Sequence, residues 1–298
     1  MVNEIIKKIK KSRKYKGVYG KTIERIVVDC VARFGQKRAE KEAKNLLHQI
    51  WGAFYSNRPD FEKILKKIKK DIIIYKKADI QSNTKELWIP AFRLPAGRQA
   101  GMTKEIILPV LKLQSSVYER VSILENFYKK IFEIIDLPAG GPISIIDHAC
   151  GLNPLTIPWM NLPENTEYTA YDIDGEEINF LNQIFDLFKN TPTHQRMGVN
   201  TKFALGDILC DEFDYADVVF MLKLLPCLEH QKKNCSLDIL RKQKCKYLVI
   251  SFPIKSIGGK DKGMTSFYGN SFKNMIKEEK WQVSEILFDT ELVFVIKK

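Results

Sequence analysis

Histidine and cysteine are scarce in this 298-residue chain, at 4 and 6, and neither type is arranged to hold a metal. His48, His148, His194 and His230 show no ligand spacing. Cys30, Cys150, Cys210, Cys227, Cys235 and Cys245 are scattered and contain no CxxC pair, which argues for reduced thiols rather than a zinc site or a disulfide framework. No apolar run approaches the roughly 20 residues that span a bilayer. The opening MVNEIIKKIKKSRK lacks the apolar stretch of a secretory signal. There is no GxGxxG, so a dinucleotide held by its pyrophosphate fits poorly. The expectation is a soluble, cytoplasmic monomer, with no membrane partner and no metal.

Positive charge is plentiful, with 48 Lys+Arg against 36 Asp+Glu and a formal charge of +12. It is also lopsided. Residues 1–140 hold 30 basic and 15 acidic side chains, whereas residues 141–298 hold 18 and 21. An excess confined to one half points to a polyanionic partner, nucleic acid above all, bound through that half.

The texture changes at the same place. Residues 3–14, 21–34, 37–56, 61–70 and about 115–135 carry apolar positions at helical spacing, with lysines between them. Residues 85–110 interrupt this pattern with three prolines and two glycines and read as a surface insertion. Residues 137–140 read as a linker. Beyond it, apolar runs at 143–149, 167–173, 201–208, 216–222 and 246–252 alternate with helical candidates at 175–189, 227–242 and 264–279. Runs at 282–288 and 291–297 follow, separated by two residues. Strands alternating with helices predict a mostly parallel, doubly wound α/β sheet of seven strands. The closing pair must be antiparallel, because a parallel pair needs a crossover. The expected division is a basic helical domain, 1–136, ahead of a ligand-binding α/β domain, 141–298.

The first strand runs into Asp147-His148-Ala149-Cys150-Gly151-Leu152-Asn153-Pro154, and open α/β sheets bind ligands at the carboxyl ends of their strands. Ala149 and Gly151 are small enough for close backbone approach. Asp172 ends the second strand, 21 residues after Gly151, where a carboxylate holds a ribose diol. Asp207 and Ile208 end the third, placed for an adenine amino group. A nucleoside-like ligand without phosphates follows, and S-adenosyl-L-methionine (SAM) satisfies that description.

At these residues the chain resembles the aminoglycoside-resistance 16S rRNA (guanine-N7) methyltransferases, the Arm family. The matching stretches are Leu47-His48-Gln49-Ile50-Trp51-Gly52 with Tyr55; Glu119-Arg120-Val121 with Phe127-Tyr128; Cys150-Gly151-Leu152-Asn153-Pro154 with Pro158-Trp159-Met160; Tyr171-Asp172-Ile173-Asp174; Leu222-Lys223-Leu224-Leu225-Pro226 with Gln231; and Ser251-Phe252-Pro253 with Ser256, Gly259, Gly263 and Met264. The last of these is the most diagnostic.

The resemblance implies a class I SAM-dependent methyltransferase with a Rossmann-like sheet and an antiparallel last strand, behind a helical domain that docks on the 30S subunit. It implies methyl transfer to N7 of the decoding-site guanine of 16S rRNA (position 1405 in the usual rRNA numbering). It further implies that Arg120 meets the SAM carboxylate and that Ala149 and Gly151 face the methionine part. Asp172 with Ile173 would face the ribose, and Asp207 with Ile208 the adenine, while Tyr55, Leu222 and Gln231 complete the pocket. Lys223, Ser251, Phe252, Pro253 and Ser256 would lie by the target guanine. Phe252 has two readings, stacking on an extruded base or packing as core at a strand end. The competing functions are methylation of another rRNA base, such as an adenine N1, and a binding-only assembly factor, suggested by Ala149 where the family has glycine.

Overall fold

The computed structural model describes residues 2–51, 58–82, 104–136, 141–189, 198–254 and 264–298. Four helices come first: α1 (Val2–Lys11), α2 (Gly20–Phe34), α3 (Gln36–Trp51) and α4 (Phe61–Ser82). Then come α5 (Lys104–Leu111), the single turn α6 (Ser115–Tyr118) and α7 (Leu124–Ile134). The remainder alternates as β1 (Ser144–His148), β2 (Thr166–Asp172), α8 (Gly175–Lys189), β3 (Val199–Leu205), β4 (Ala216–Leu222), α9 (Leu225–Gln231), α10 (Ser236–Lys242), β5 (Cys245–Pro253), α11 (Met264–Ile276), β6 (Gln282–Leu287) and β7 (Glu291–Lys297).

The seven strands form one sheet in the order β3-β2-β1-β4-β5-β7-β6. The first five are parallel, and β7 runs antiparallel to both β5 and β6. This is the predicted architecture. The reason is in the side chains: β5 and β7 are almost continuously buried, as strands covered on both faces must be. Reversal of the chain between β1 and β4 opens the crevice where the candidate ligand residues lie.

Three apolar cores hold the molecule. Ile9, Tyr15, Val18, Ile23, Ile26, Val27, Cys30, Ala39, Ala43 and Leu47 make one core within α1–α3, with Ile173 packed against it. On α2 the buried positions Ile23, Ile26, Val27 and Cys30 recur at i, i+3, i+4 and i+7, a single helix stripe. A second core joins α4, α5 and α7 to one face of the sheet through residues such as Leu65, Ile107, Phe127, Ile145 and Val218. The third covers the opposite face with α9, α10 and α11.

Three local expectations need correction. The C-terminal part of the 85–110 stretch is helix rather than surface insertion, because Ile107, Val110 and Leu111 form a buried stripe on α5 despite Pro109. The rest of that stretch, and the 137–140 linker, lie outside the described residues. The helix expected over about 115–135 is broken into α6, a 3-10 turn at Val121–Ile123, and α7. The helix expected over 227–242 is split into α9 and α10, with Asn234 at φ 59° turning the chain between them.

Candidate active site

A cleft opens at the carboxyl ends of β1 to β4. Among the described residues its lining includes Ala149, Gly151, Asp172, Ile173, Asp207, Ile208, Leu222, Lys223 and Gln231, all foreseen from the sequence. It also includes Ile50, Gln114, Ser116, Asp174, Glu177, Cys227 and Leu228, which were not.

The turn after β1 is built for close approach. Ala149 and Gly151 both adopt left-handed backbone, at φ 51° and 50°. At Gly151 a side chain is doubly excluded, since a Cβ would stand 2.4 Å from the Gln114 carboxamide. The buried Gln114 accepts from Leu152 N at 2.8 Å and donates to Glu177 at 3.0 Å, stitching the start of α6 to the turn and to α8. Ala149 stands in the same strained region without glycine's freedom, which costs on the order of 1–2 kcal/mol.

Asp172, at the end of β2, accepts from Gly151 N and from Asp174 N, both at 3.0 Å. Burial, reinforced by the charge of Asp174, pushes its pKa up to about 6. Asp174 caps α8 by accepting from Glu176 N and Glu177 N, and Arg58 forks onto its carboxylate. Asp207, past β3, accepts from Thr22 at 2.8 Å and from Arg25 at 2.9 and 3.1 Å through Oδ2, while Oδ1 takes Leu209 N at 2.9 Å. Thr22, Arg25 and Arg58 carried no motif. Only the charge excess of the first half hinted at such cations.

The opposite end of the cleft departs from the roles that resemblance assigned. Arg120 does not reach the cleft lining. Fully buried, it clasps Glu291 at 2.8 and 3.1 Å, donates to Asn153 at 2.7 Å, and lies 4.7 Å from the Phe127 ring centre. A buried guanidinium requires a compensating carboxylate, and Glu291 supplies it from 171 residues away. Burial alone would raise the Glu291 pKa, but the charges of Arg120 and Lys223 outweigh it and hold the carboxylate low.

Lys223 does line the cleft, in left-handed backbone at φ 56°. Its ammonium contacts Glu119 at 2.6 Å, Ser116 O at 3.1 Å and Glu291 at 3.3 Å. Ser251 is fully buried below it, its hydroxyl and carbonyl both accepting from Lys223 N. Phe252 is core: it stacks on Tyr268 at 5.2 Å and meets Phe272 and Phe294, so it presents no free face to a base. Pro253 ends β5 half-buried, paired with Glu291 across the sheet. Tyr55 and Ser256 lie outside the described residues. His148 lines the cleft, but burial holds its pKa at about 4, so it is neutral there. Among the described residues no group of three or more potential metal ligands occurs, and no helix is long and apolar enough to cross a membrane.

The model of a ribosomal RNA methyltransferase family (FmrO) matches residues 90–295. The chain belongs to this family. Relatives within reach include a 16S rRNA (guanine(1405)-N(7))-methyltransferase of Proteus mirabilis, 31% identical over 299 residues, with 100% of this chain and 97% of that protein covered. One of the same description from Micromonospora echinospora is 29% identical over 301 residues, with the same coverage. The 16S rRNA methyltransferase RmtF, solved in complex with S-adenosyl-L-homocysteine, superposes with a TM-score of 0.72 at 22% identity over 100% of this chain and 98% of its own. At that identity the likeness shows the family's fold.

Proposed function

We propose that this chain transfers the methyl group of SAM to N7 of guanine 1405 of 16S rRNA, acting in the cytoplasm as a monomer on the 30S subunit and conferring aminoglycoside resistance. The observation that carries this reading is the set of groups at the ends of three adjacent strands, the close-approach turn at Gly151 braced by Gln114 and the carboxylates of Asp172 and Asp207. They occur in a chain aligned end to end with relatives of that description.

The cleft suits such a cofactor. Asp172, Asp174, Glu177 and Asp207 give it an acidic wall for a ligand carrying a sulfonium and an ammonium, while Ile173, Ile208, Leu222 and Leu228 supply apolar faces for a purine. Asp172 would hold the ribose hydroxyls and Asp207 the adenine amino group. Because Arg120 is bound to Glu291 and the Lys223 ammonium to Glu119, Ser116 O and Glu291, the Ser116 hydroxyl would be the lining donor to the methionine carboxylate. When bound, SAM supplies a methyl group activated by its sulfonium sulfur.

The protein's part is positioning. Guanine N7 already carries an exposed lone pair, so no residue need remove a proton. The rate gain comes from holding that atom in line with the methyl at near-attack distance. Arg120 and Glu291 serve by fixing Lys223 and the strand ends beneath the target base. Exposed lysines on α1 and α4, among them Lys7, Lys8, Lys66, Lys67, Lys69 and Lys70, would meet rRNA phosphates, so that residues 1–136 serve 30S docking while lending Ile50, Gln114 and Ser116 to the cofactor cleft of residues 141–298.

The test is to incubate the protein with bacterial 30S subunits and methyl-labelled SAM, then map the product by borohydride/aniline cleavage and primer extension. A single stop at guanine 1405 is expected. Label at an adenine would keep the methyltransferase and replace its target, whereas SAM binding without label would favour a binding-only protein.

A further inference from the structure

We infer that Arg25 on α2 is a positioning residue for the cofactor's adenine, acting through Asp207 and Gln231. The inference rests on the reading that SAM occupies the cleft with its adenine at Asp207. Arg25 itself does not line the cleft, but the two residues it holds do. Its Nε and one terminal nitrogen donate to Asp207 Oδ2 at 3.1 and 2.9 Å, and the same terminal nitrogen donates to Gln231 Oε1 at 2.7 Å. Thr22, one turn earlier on α2, adds its hydroxyl to the same Asp207 oxygen at 2.8 Å.

The consequence is selective. Three donors converge on Oδ2, while Oδ1 takes Leu209 N at 2.9 Å and is the oxygen that Arg25 leaves for an incoming amino group. Gln231, fixed through its carbonyl oxygen, directs one N–H to Cys227 O at 3.3 Å and keeps the other. Arg25 thus links the end of β3 and the end of α9, both at the cleft, to a helix whose own core lies in α1–α3. Its planar fork is suited to bridging two acceptors, which a lysine ammonium does less well.

Two probes separate this role from alternatives: S-adenosylhomocysteine, and its analogue whose purine lacks the 6-amino group. Wild-type protein should prefer the first. In Arg25→Ala, S-adenosylhomocysteine should bind about tenfold more weakly by calorimetry, a loss typical of one charge-assisted contact, and the analogue should bind unchanged. The preference then disappears. On 30S subunits KM for SAM should rise while kcat at saturating SAM holds. Arg25→Lys, which retains the charge if the alanine variant does not fold, should show an intermediate loss, and Thr22→Val a smaller one.

Equal weakening of both probes, or unchanged affinity for both, overturns the inference. So does weakened 30S binding with SAM affinity intact, which would make Arg25 an RNA contact. Absence of S-adenosylhomocysteine binding by the wild-type protein would instead overturn the cofactor reading on which the inference stands.

Discussion

The two ends of the cleft are built on different principles. At the β2–β3 end the carboxylates are anchored by backbone amides, Asp172 by Gly151 N and Asp174 N, Asp174 by the first amides of α8 and Asp207 by Leu209 N, with Arg58 and Arg25 of the first half added to Asp174 and Asp207. At the β4–β5 end, charged side chains are held by one another across long stretches of sequence, with Glu291 between Arg120 and Lys223. The first arrangement leaves acceptors facing the cavity. The second fills its acceptors internally, so its charges shape the site more than they line it.

The largest effect should come from breaking the second arrangement. Glu291→Gln leaves Arg120 buried without a counter-charge and should lower stability by about 3–5 kcal/mol. Replacing Arg120 by Met and Glu291 by Leu together should recover most of that loss in a thermal melt. A double variant as unstable as the single one would mean that the pair is more than mutual compensation.

Gly151→Ala attacks the first arrangement through its backbone. It combines a left-handed φ with a clash against Gln114 and should cost about 2 kcal/mol. Chemical denaturation will read it, and a neutral result would mean that Gln114 moves freely.

The raised pKa of Asp172 predicts a pH dependence of cofactor binding at that end. The cofactor's hydroxyls need the ionised carboxylate, so SAM affinity should be flat above about pH 6 and fall about tenfold per unit below it. The sign for stability is opposite. In the free protein the unfolded chain ionises first, so as pH rises from about 4 to about 6 the Asp172 contribution destabilises the fold. A calorimetric titration series covers the binding arm, and an affinity independent of pH over 5–7 would remove Asp172 from the ribose site.

Ala149→Gly is the mildest change. It relieves the left-handed strain while adding freedom to the unfolded chain, so a gain of up to about 1 kcal/mol is expected. A loss on melting would show that the alanine methyl group is needed where it stands.

This contrast also explains what could be read in the sequence. The mostly parallel sheet and its antiparallel closing pair followed from apolar runs and from the two-residue spacing between the last strands. Asp172 and Asp207 were legible because their distances from Gly151 reflect chain geometry at adjacent strand ends. The pairing of Arg120 with Glu291 could not be read, and the two readings of Phe252 could not be separated, because Glu291 on β7 and Tyr268 on α11 are remote in sequence and no local pattern records that a charge or ring is already engaged. Arg25 and Gln114 escaped notice for the same reason.

Calorimetric titration of SAM into Asp172→Asn beside the wild-type protein asks whether the β2–β3 end holds the cofactor. Affinity should fall at least a hundredfold, roughly 3 kcal/mol for a charged acceptor lost, while the melting transition stays cooperative. Wild-type affinity in that variant would contradict this placement.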